Sequence, residues 1–246
     1  HALYRKLYPF FNRAFIADSF SCRLGKGTHS TLNRFRSFAY KVSKNNTKTC
    51  WILKCDIKKF FASIDHAILL GIIYQYIPDR NILWLLRNVI ESFSSMKPGV
   101  GLPLGNLTSQ LLVNIYINEF DQFVKHKLKA KHYIRYADDF VIFSRDKNWL
   151  EKQISPIKKF LRDKLKLILH PNKIYIKTLA SGVDFLGWMH FSTYKVLRTG
   201  TKRRMLKRIK INPNPKTVNS YLGLLRHGNT YKLQNEVLKY YLLNQN

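Results

Sequence analysis

Apolar residues recur at helical spacing from the start of the chain. Leu3, Leu7, Phe11, Ala14 and Phe15 share one face and predict a helix, with no capping residue before it. The chain opens at His1 without Met, and an upstream segment is expected. Residues 18–29 are basic and contain Gly and Ser, which predicts a loop; 32–42 predicts a helix and 43–49 a polar connector. The apolar run at 51–55 reads as a buried strand ending at Asp56. A helix is expected next, burying Phe60, Phe61, Ile64, Ile68 and Leu69, followed by another at 82–93. Residues 97–105 hold three Gly and two Pro and predict a loop. From Thr108 to Lys127, Leu111, Leu112, Ile115, Tyr116, Phe120, Phe123 and Val124 form the stripe of a long helix.

Two β-forming runs, 133–136 and 140–143, then flank Ala137, Asp138 and Asp139. A helix is expected at 148–165, and short strands at 174–176, 183–188 and 194–197. The end, 201–246, reads as basic helices broken at Pro213 and Pro215. Many helices and few strands predict an α+β fold, without internal repeats or low-complexity linkers.

Charge changes this picture most. Lys and Arg number 43 against 14 Asp and Glu, a net charge of +29. That excess points to a polyanionic partner. The basic residues are spread along the whole chain, which favours a nucleic-acid groove over a membrane-surface helix. No apolar stretch approaches the ~20 residues of a membrane span, so no membrane partner is expected. The three cysteines, Cys22, Cys50 and Cys55, lack metal-site spacing and read as reduced thiols in a cytoplasmic protein.

Against this basic background the chain places acids together. Asp56 closes an apolar strand, and Asp138 and Asp139 follow 82 residues later at a hairpin. Two carboxylates ~4 Å apart repel by about 4 kcal/mol at an effective dielectric near 20. An exposed Asp-containing turn is the plain alternative. A strand ending in Asp56, paired with the hairpin, would set Asp56 beside Asp138 at a sheet edge. Acids so placed suit Mg²⁺, which takes one or two carboxylates together with substrate phosphates.

These residues carry a family resemblance. LKCDIKKFFASID at 53–65 resembles the first palm motif of reverse transcriptases, and YADD at 136–139 resembles their catalytic hairpin. GLPLGNLTSQ at 101–110 resembles the template- and nucleotide-binding loop, LILHPNK at 167–173 the next palm motif, and VDFLGW at 183–188 the primer-grip hairpin. The order and spacing match over roughly residues 15–190.

The resemblance implies a right-hand polymerase: an antiparallel palm sheet packed on helices, with fingers and a short helical thumb. Residues 1–50 would be partial fingers whose upstream part is missing. Residues 51–200 would be palm, with a fingers-side insertion near 70–105, and 201–246 the start of a thumb or connection. Asp56, Asp138 and Asp139 would be catalytic and, with the Ile57 carbonyl, would hold two Mg²⁺ ions, with Mn²⁺ as a substitute. Phe61 would be a steric gate favouring deoxynucleotides, or plain core packing. Leu104, Gly105, Ser109, Gln110 and Lys173 would contact the nucleotide, Lys173 near the triphosphate. Arg23, Lys26, His29, Phe185, Leu186 and Gly187 would contact template or primer. Asp65 reads as structural.

Leu104 and Gln110 depart from the Gln and Pro common at those positions. This resembles diversity-generating retroelement reverse transcriptases, which copy a template-repeat RNA with errors at adenines and act with a small basic accessory protein. The implied partners are template RNA, the RNA–DNA duplex and deoxynucleotide triphosphates, in a prokaryotic or phage-encoded protein. A group II intron-like, retron or defence-associated enzyme is the alternative, as is a non-catalytic RNA-binding protein of the same fold.

Overall fold

Two strands with both faces covered organise the molecule. In the computed structural model, which describes residues 2–95 and 97–243, β2 (Trp51–Asp56) lies antiparallel to β4 (Asp139–Ser144). Their register runs from Trp51 opposite Ser144 to Asp56 opposite Asp139. β3 (Tyr133–Tyr136) forms a hairpin with β4, and β5 (Tyr175–Thr178) pairs with the other side of β2. β1 (Ser19–Phe20) adds in parallel to β3, giving the order β1-β3-β4-β2-β5.

The apolar runs are continuous because successive side chains enter different cores. Leu53, Cys55, Phe140 and Ile142 face Tyr116 and Phe120 of α5 (Leu107–Gln122) and Leu161 of α6 (Lys147–Leu165). The same core takes Leu7, Tyr8 and Phe11 of α1 (Ala2–Ala14), Leu69 and Ile73 of α3 (His66–Tyr76), and Leu86 and Ile90 of α4 (Arg80–Glu91). Ile52, Ile134, Val141 and Phe143 point the other way, onto Phe35, Phe38 and Val42 of α2 (Thr28–Val42).

A second, antiparallel sheet contains β6 (Val183–Phe185), β7 (Trp188–His190) and β8 (Lys195–Leu197). Trp188 and Leu197 pack with Met205 and Ile209 of α7 (Thr199–Ile211), Leu225 of α8 (Pro215–Leu225) and Val237 of α9 (Tyr231–Leu243). Pro215 starts α8, where its missing amide costs nothing, and Asn214 caps the helix by accepting from the Thr217 amide at 3.0 Å. The break read at Pro213 and Pro215 therefore falls between two helices.

The architecture is the expected α+β arrangement of helices on antiparallel sheets, and several local expectations change. The helix after Asp56 begins only at His66, because Asp65 caps it by accepting from the Ile68 amide; Phe61–Ser63 is a 3₁₀ turn. The loop expected at 18–29 contains β1, and α2 already starts at Thr28. Residues 183–188 are split by a turn at Leu186 (φ 51°) and Gly187 (φ 82°), so one expected strand is the arms of a hairpin. The helix from Leu107 ends in a π turn, Phe123–Lys127. The expectations for His1 and for 244–246 fall outside the described residues. Among the described residues no helix is long and apolar enough to cross a membrane. All three cysteines are free, and burial pushes the Cys50 and Cys55 thiols up to about 12, so neither is a ready nucleophile.

Candidate active site

The acidic turn is held from beneath. Tyr136 and Asp139 are partners in the β3–β4 register, so Ala137 and Asp138 alone make the connection. Ala137 takes a left-handed conformation (φ 52°). Its amide donates to the Phe20 carbonyl at 3.3 Å and its carbonyl accepts from Arg135 Nη1 at 3.1 Å. The Tyr136 hydroxyl lies 3.1 Å from Thr28 Oγ1 at the start of α2. Asp139 is thus the first residue of β4, and Asp138 occupies the turn.

Asp56 arrives from the neighbouring strand. It lies directly opposite Asp139, not Asp138, and the next residue, Ile57, donates its amide to the Asp138 carbonyl at 3.0 Å. The sequence placed these acids at a sheet edge; they stand instead at the end of two inner strands, because β1 and β5 form the edges. The Asp56 carbonyl accepts from the His170 amide at 2.7 Å, which brings the segment 169–173 alongside. Lys173 Nζ then reaches Asp56 Oδ2 at 3.0 Å. Lys54, two residues before Asp56 and so on the same face of β2, reaches Asp139 Oδ2 at 3.3 Å.

Burial dominates the electrostatics. It pushes the Asp139 carboxyl up to about 7; Lys54 opposes this, while Asp56 and Asp138 add to it. Asp138 is also raised, first by burial and then by Asp56. Asp139 Oδ1 is buried without a hydrogen-bond partner. Among the described residues no three His, Cys, Asp or Glu side chains converge into a cage for a cation. A hard divalent ion still fits this donor set. Mg²⁺ needs only one or two carboxylates beside water and substrate phosphates, and positive charge is what the desolvated pair and the unpartnered oxygen call for.

The other expected residues fall into two groups. In the first, Phe61 is half-buried, edge-on to Phe60, and its carbonyl accepts from the Leu102 amide at 2.9 Å, while none of the three aspartates lines the cleft at Leu104. Leu104 is 78% exposed and lines, with Gly105 (φ 84°), an open cleft at the start of α5. Ser109 is buried on that helix and Gln110 is half-buried. The second group is engaged within the chain. Arg23 donates to Asn12 Oδ1, to Ser19 Oγ and to the Ile16 and Ser19 carbonyls, which ties down the loop before α2. Lys26 donates to the Ala17 carbonyl at 2.7 Å, and the His29 ring packs on His227 at 3.9 Å. Phe185 is fully buried in the core under α2, so only Leu186 and Gly187 present a surface at that turn. Asp65 caps α3 and pairs with Lys166 at 2.6 Å, as its structural reading requires.

Sequence reading passed over two features. Lys54 is a buried lysine in an apolar strand. Arg135 and Asp121 are fully buried, and Asp121 also accepts from the Tyr133 hydroxyl at 2.7 Å while Arg135 Nη1 lies 3.3 Å from Asn114 Oδ1. The available signal was a charge in the middle of an otherwise apolar strand, in WILKCD and again in YIRY.

The family described as reverse transcriptase (RNA-dependent DNA polymerase) matches residues 1–190. The group II intron-encoded protein LtrA of Lactococcus lactis subsp. cremoris is 26% identical, over 63% of this chain and 36% of that protein. Protein YkfC of Escherichia coli (strain K12) is 24% identical, over 76% of this chain and 58% of that protein. Among solved structures, telomerase from Candida albicans in complex with a TWJ fragment of telomeric RNA superposes with a TM-score of 0.60. That match has 13% identity and covers 97% of this chain and 47% of that chain. The chain therefore spans less than two thirds of each of these proteins.

Proposed function

Given that this chain belongs to the reverse transcriptase (RNA-dependent DNA polymerase) family, we propose that it is the polymerising part of an enzyme that copies RNA into DNA. The observation that carries this reading is the position of Asp56 directly across from Asp139, with Asp138 in the intervening turn. Asp56, Asp138 and Asp139 would hold divalent magnesium, with manganese as a substitute and the Ile57 carbonyl as a further ligand. When bound, the metal stabilises charge on the attacking and leaving oxygens of an in-line phosphoryl transfer.

The chain's own residues do the rest. Lys54 and Lys173, now paired with Asp139 and Asp56, keep positive charge beside the carboxylates. Lys173 is half exposed and long enough to turn toward a triphosphate, where it would stabilise or protonate the leaving pyrophosphate. Phe61 would crowd a 2′-hydroxyl. Leu104, Gly105, Ser109 and Gln110 would border the nascent base pair, and Leu186 and Gly187 the primer. Arg23 and Lys26, through the loop they brace, and His29 in the first turn of α2 would support the template. Template RNA, the growing RNA–DNA duplex and deoxynucleotide triphosphates are the partners of this reading, drawn in by the +29 charge.

The subtype is read from Leu104 and Gln110, which support error-prone copying of the diversity-generating kind, with a small basic accessory protein. The likeness to intron-encoded proteins favours a group II intron-like enzyme as the second reading. Primer extension on an RNA template with Mg²⁺ tests the activity. Asp138→Ala is expected to abolish extension while RNA affinity stays within about twofold. Tight RNA binding with no extension by the unmodified protein would instead make it a non-catalytic RNA binder.

A further inference from the structure

A second cleft lies apart from the carboxylates, where α2, the β7–β8 hairpin and the loop between α8 and α9 meet. Its volume is about 540 Å³, in the range of sites that enclose a small ligand. None of the three aspartates, and none of the residues assigned to the nucleotide, lines it.

Its charge is one-sided. Arg36, Lys195 and Arg226 line the cleft and no Asp or Glu does. None of these three cations takes part in an ion pair among the described residues. Burial, and then the nearby Arg36 guanidinium, hold the Lys195 ammonium below its ordinary value. Like charges gathered without a carboxylate repel, and a bound anion relieves that repulsion.

Its walls are aromatic. Phe191 and Tyr194 stack with ring centroids 4.7 Å apart, and Tyr194 is 47% exposed. Tyr40 of α2 lines the same cleft and is 52% exposed. His190, packed on Phe35 at 4.2 Å, belongs to the lining; its Nε2 is buried and has no partner. The Lys195 ammonium lies over the Trp188 ring at 5.1 Å, and Arg36 and Arg226 are exposed; rings beside cations that lack carboxylate partners suit single-stranded nucleic acid, since bases stack on the rings and phosphates meet the cations. The exposed rings favour a single strand over a duplex, whose bases are already stacked on one another.

We propose that this cleft is a second RNA site, which takes a single-stranded segment with one base on Tyr194 and flanking phosphates on Arg36, Lys195 and Arg226. The site joins α2, whose Thr28 touches Tyr136 of the acidic hairpin, to the loop between α8 and α9 and so to those helices. RNA bound there clamps those helices against the sheet that carries the carboxylates. The inference goes beyond the polymerase reading and stands without it.

The test uses the whole chain and a six-nucleotide single-stranded RNA carrying 2-aminopurine and 4-thiouridine, without metal or nucleotides. Crosslinks are expected within 191–195, and 2-aminopurine fluorescence is expected to be quenched on binding. Tyr194→Ala and Arg36→Ala should each weaken binding about fivefold or more. Arg36→Ala and Arg226→Ala should each lower the salt dependence by about one phosphate contact. These three side chains are exposed, and unchanged thermal unfolding confirms that the variants fold. Crosslinks found only elsewhere, affinity within twofold in both Tyr194→Ala and Arg36→Ala, or quenching that survives Tyr194→Ala would each overturn the proposal. Polyphosphate competing as well as RNA, with no quenching, would reduce the site to a basic patch and overturn it too. Crosslinks at 191–195 and their loss in Tyr194→Ala bear on this site alone, whereas primer extension bears on the polymerase reading alone, so the two can fail separately.

Discussion

Arg135 donates Nε and Nη2 to the two carboxylate oxygens of Asp121, at 2.8 and 2.7 Å, and neither side chain has any exposed surface. The same guanidinium reaches the Ala137 carbonyl at 3.1 Å, so a buried ion pair supports the turn that carries Asp138. Removing one partner strands the other charge in the core. Asp121→Asn is therefore expected to cost about 3–5 kcal/mol, read as a lower denaturant midpoint. Primer extension should fall further than the folded fraction does, because the turn loses its support. A loss below about 1 kcal/mol would show that the pair contributes little.

Asp139 is held near 7 in the fold, above the ordinary carboxylate value of 3.8. The folded chain thus binds this proton more tightly than the unfolded chain does. Stability from this group is greatest at low pH and falls as pH rises from about 4 through about 7, by up to ~1.4 kcal/mol per unit. Asp139→Asn removes the buried charge. It should melt higher than the parent protein at pH 8, with the gap closing toward pH 4, and should not extend a primer. Added Mg²⁺ should raise the melting temperature of the parent protein more than that of the variant. Equal responses would remove Asp139 from the metal set.

His190 behaves oppositely. Burial, with Lys195 adding to it, pushes its imidazole down to about 4 from 6.5. Its contribution to stability is complete above about 6.5 and is lost as pH falls toward 4, again by up to ~1.4 kcal/mol per unit. His190→Phe keeps a ring against Phe35 without the titration. Urea unfolding at pH 7 and pH 5 should show a smaller loss in the variant than in the parent protein.

Leu104 projects into solvent at the cleft before α5, with 78% of its surface exposed. On the proposed reading that Leu104 borders the nascent base pair, Leu104→Gln would add a polar contact worth about 1 kcal/mol, or roughly fivefold in discrimination. Sequencing cDNA copied from an adenine-containing RNA template should show fewer errors at those adenines. An unchanged error spectrum would remove Leu104 as the determinant of fidelity.

The sequence alone determined most of the elements and pointed to a candidate site. Short apolar, β-forming runs marked β2, β3 and β4, and longer helical patterns marked α5 and α6, because strands of four to six residues and helices of sixteen to nineteen bury their apolar residues differently. Acids at the end of two apolar strands in a +29 chain marked the site, since such charges are costly unless a cation offsets them. Tertiary structure alone decided pairing. That Asp56 faces Asp139 depends on the register of strands 82 residues apart, which no local pattern encodes. Whether Arg23 is free for a template or spent on Asn12 and Ser19 depended on the fold of its loop. The roles of Lys54 and Arg135 were likewise hidden, because a charge within a strand looks the same in sequence whether it meets solvent or a buried carboxylate.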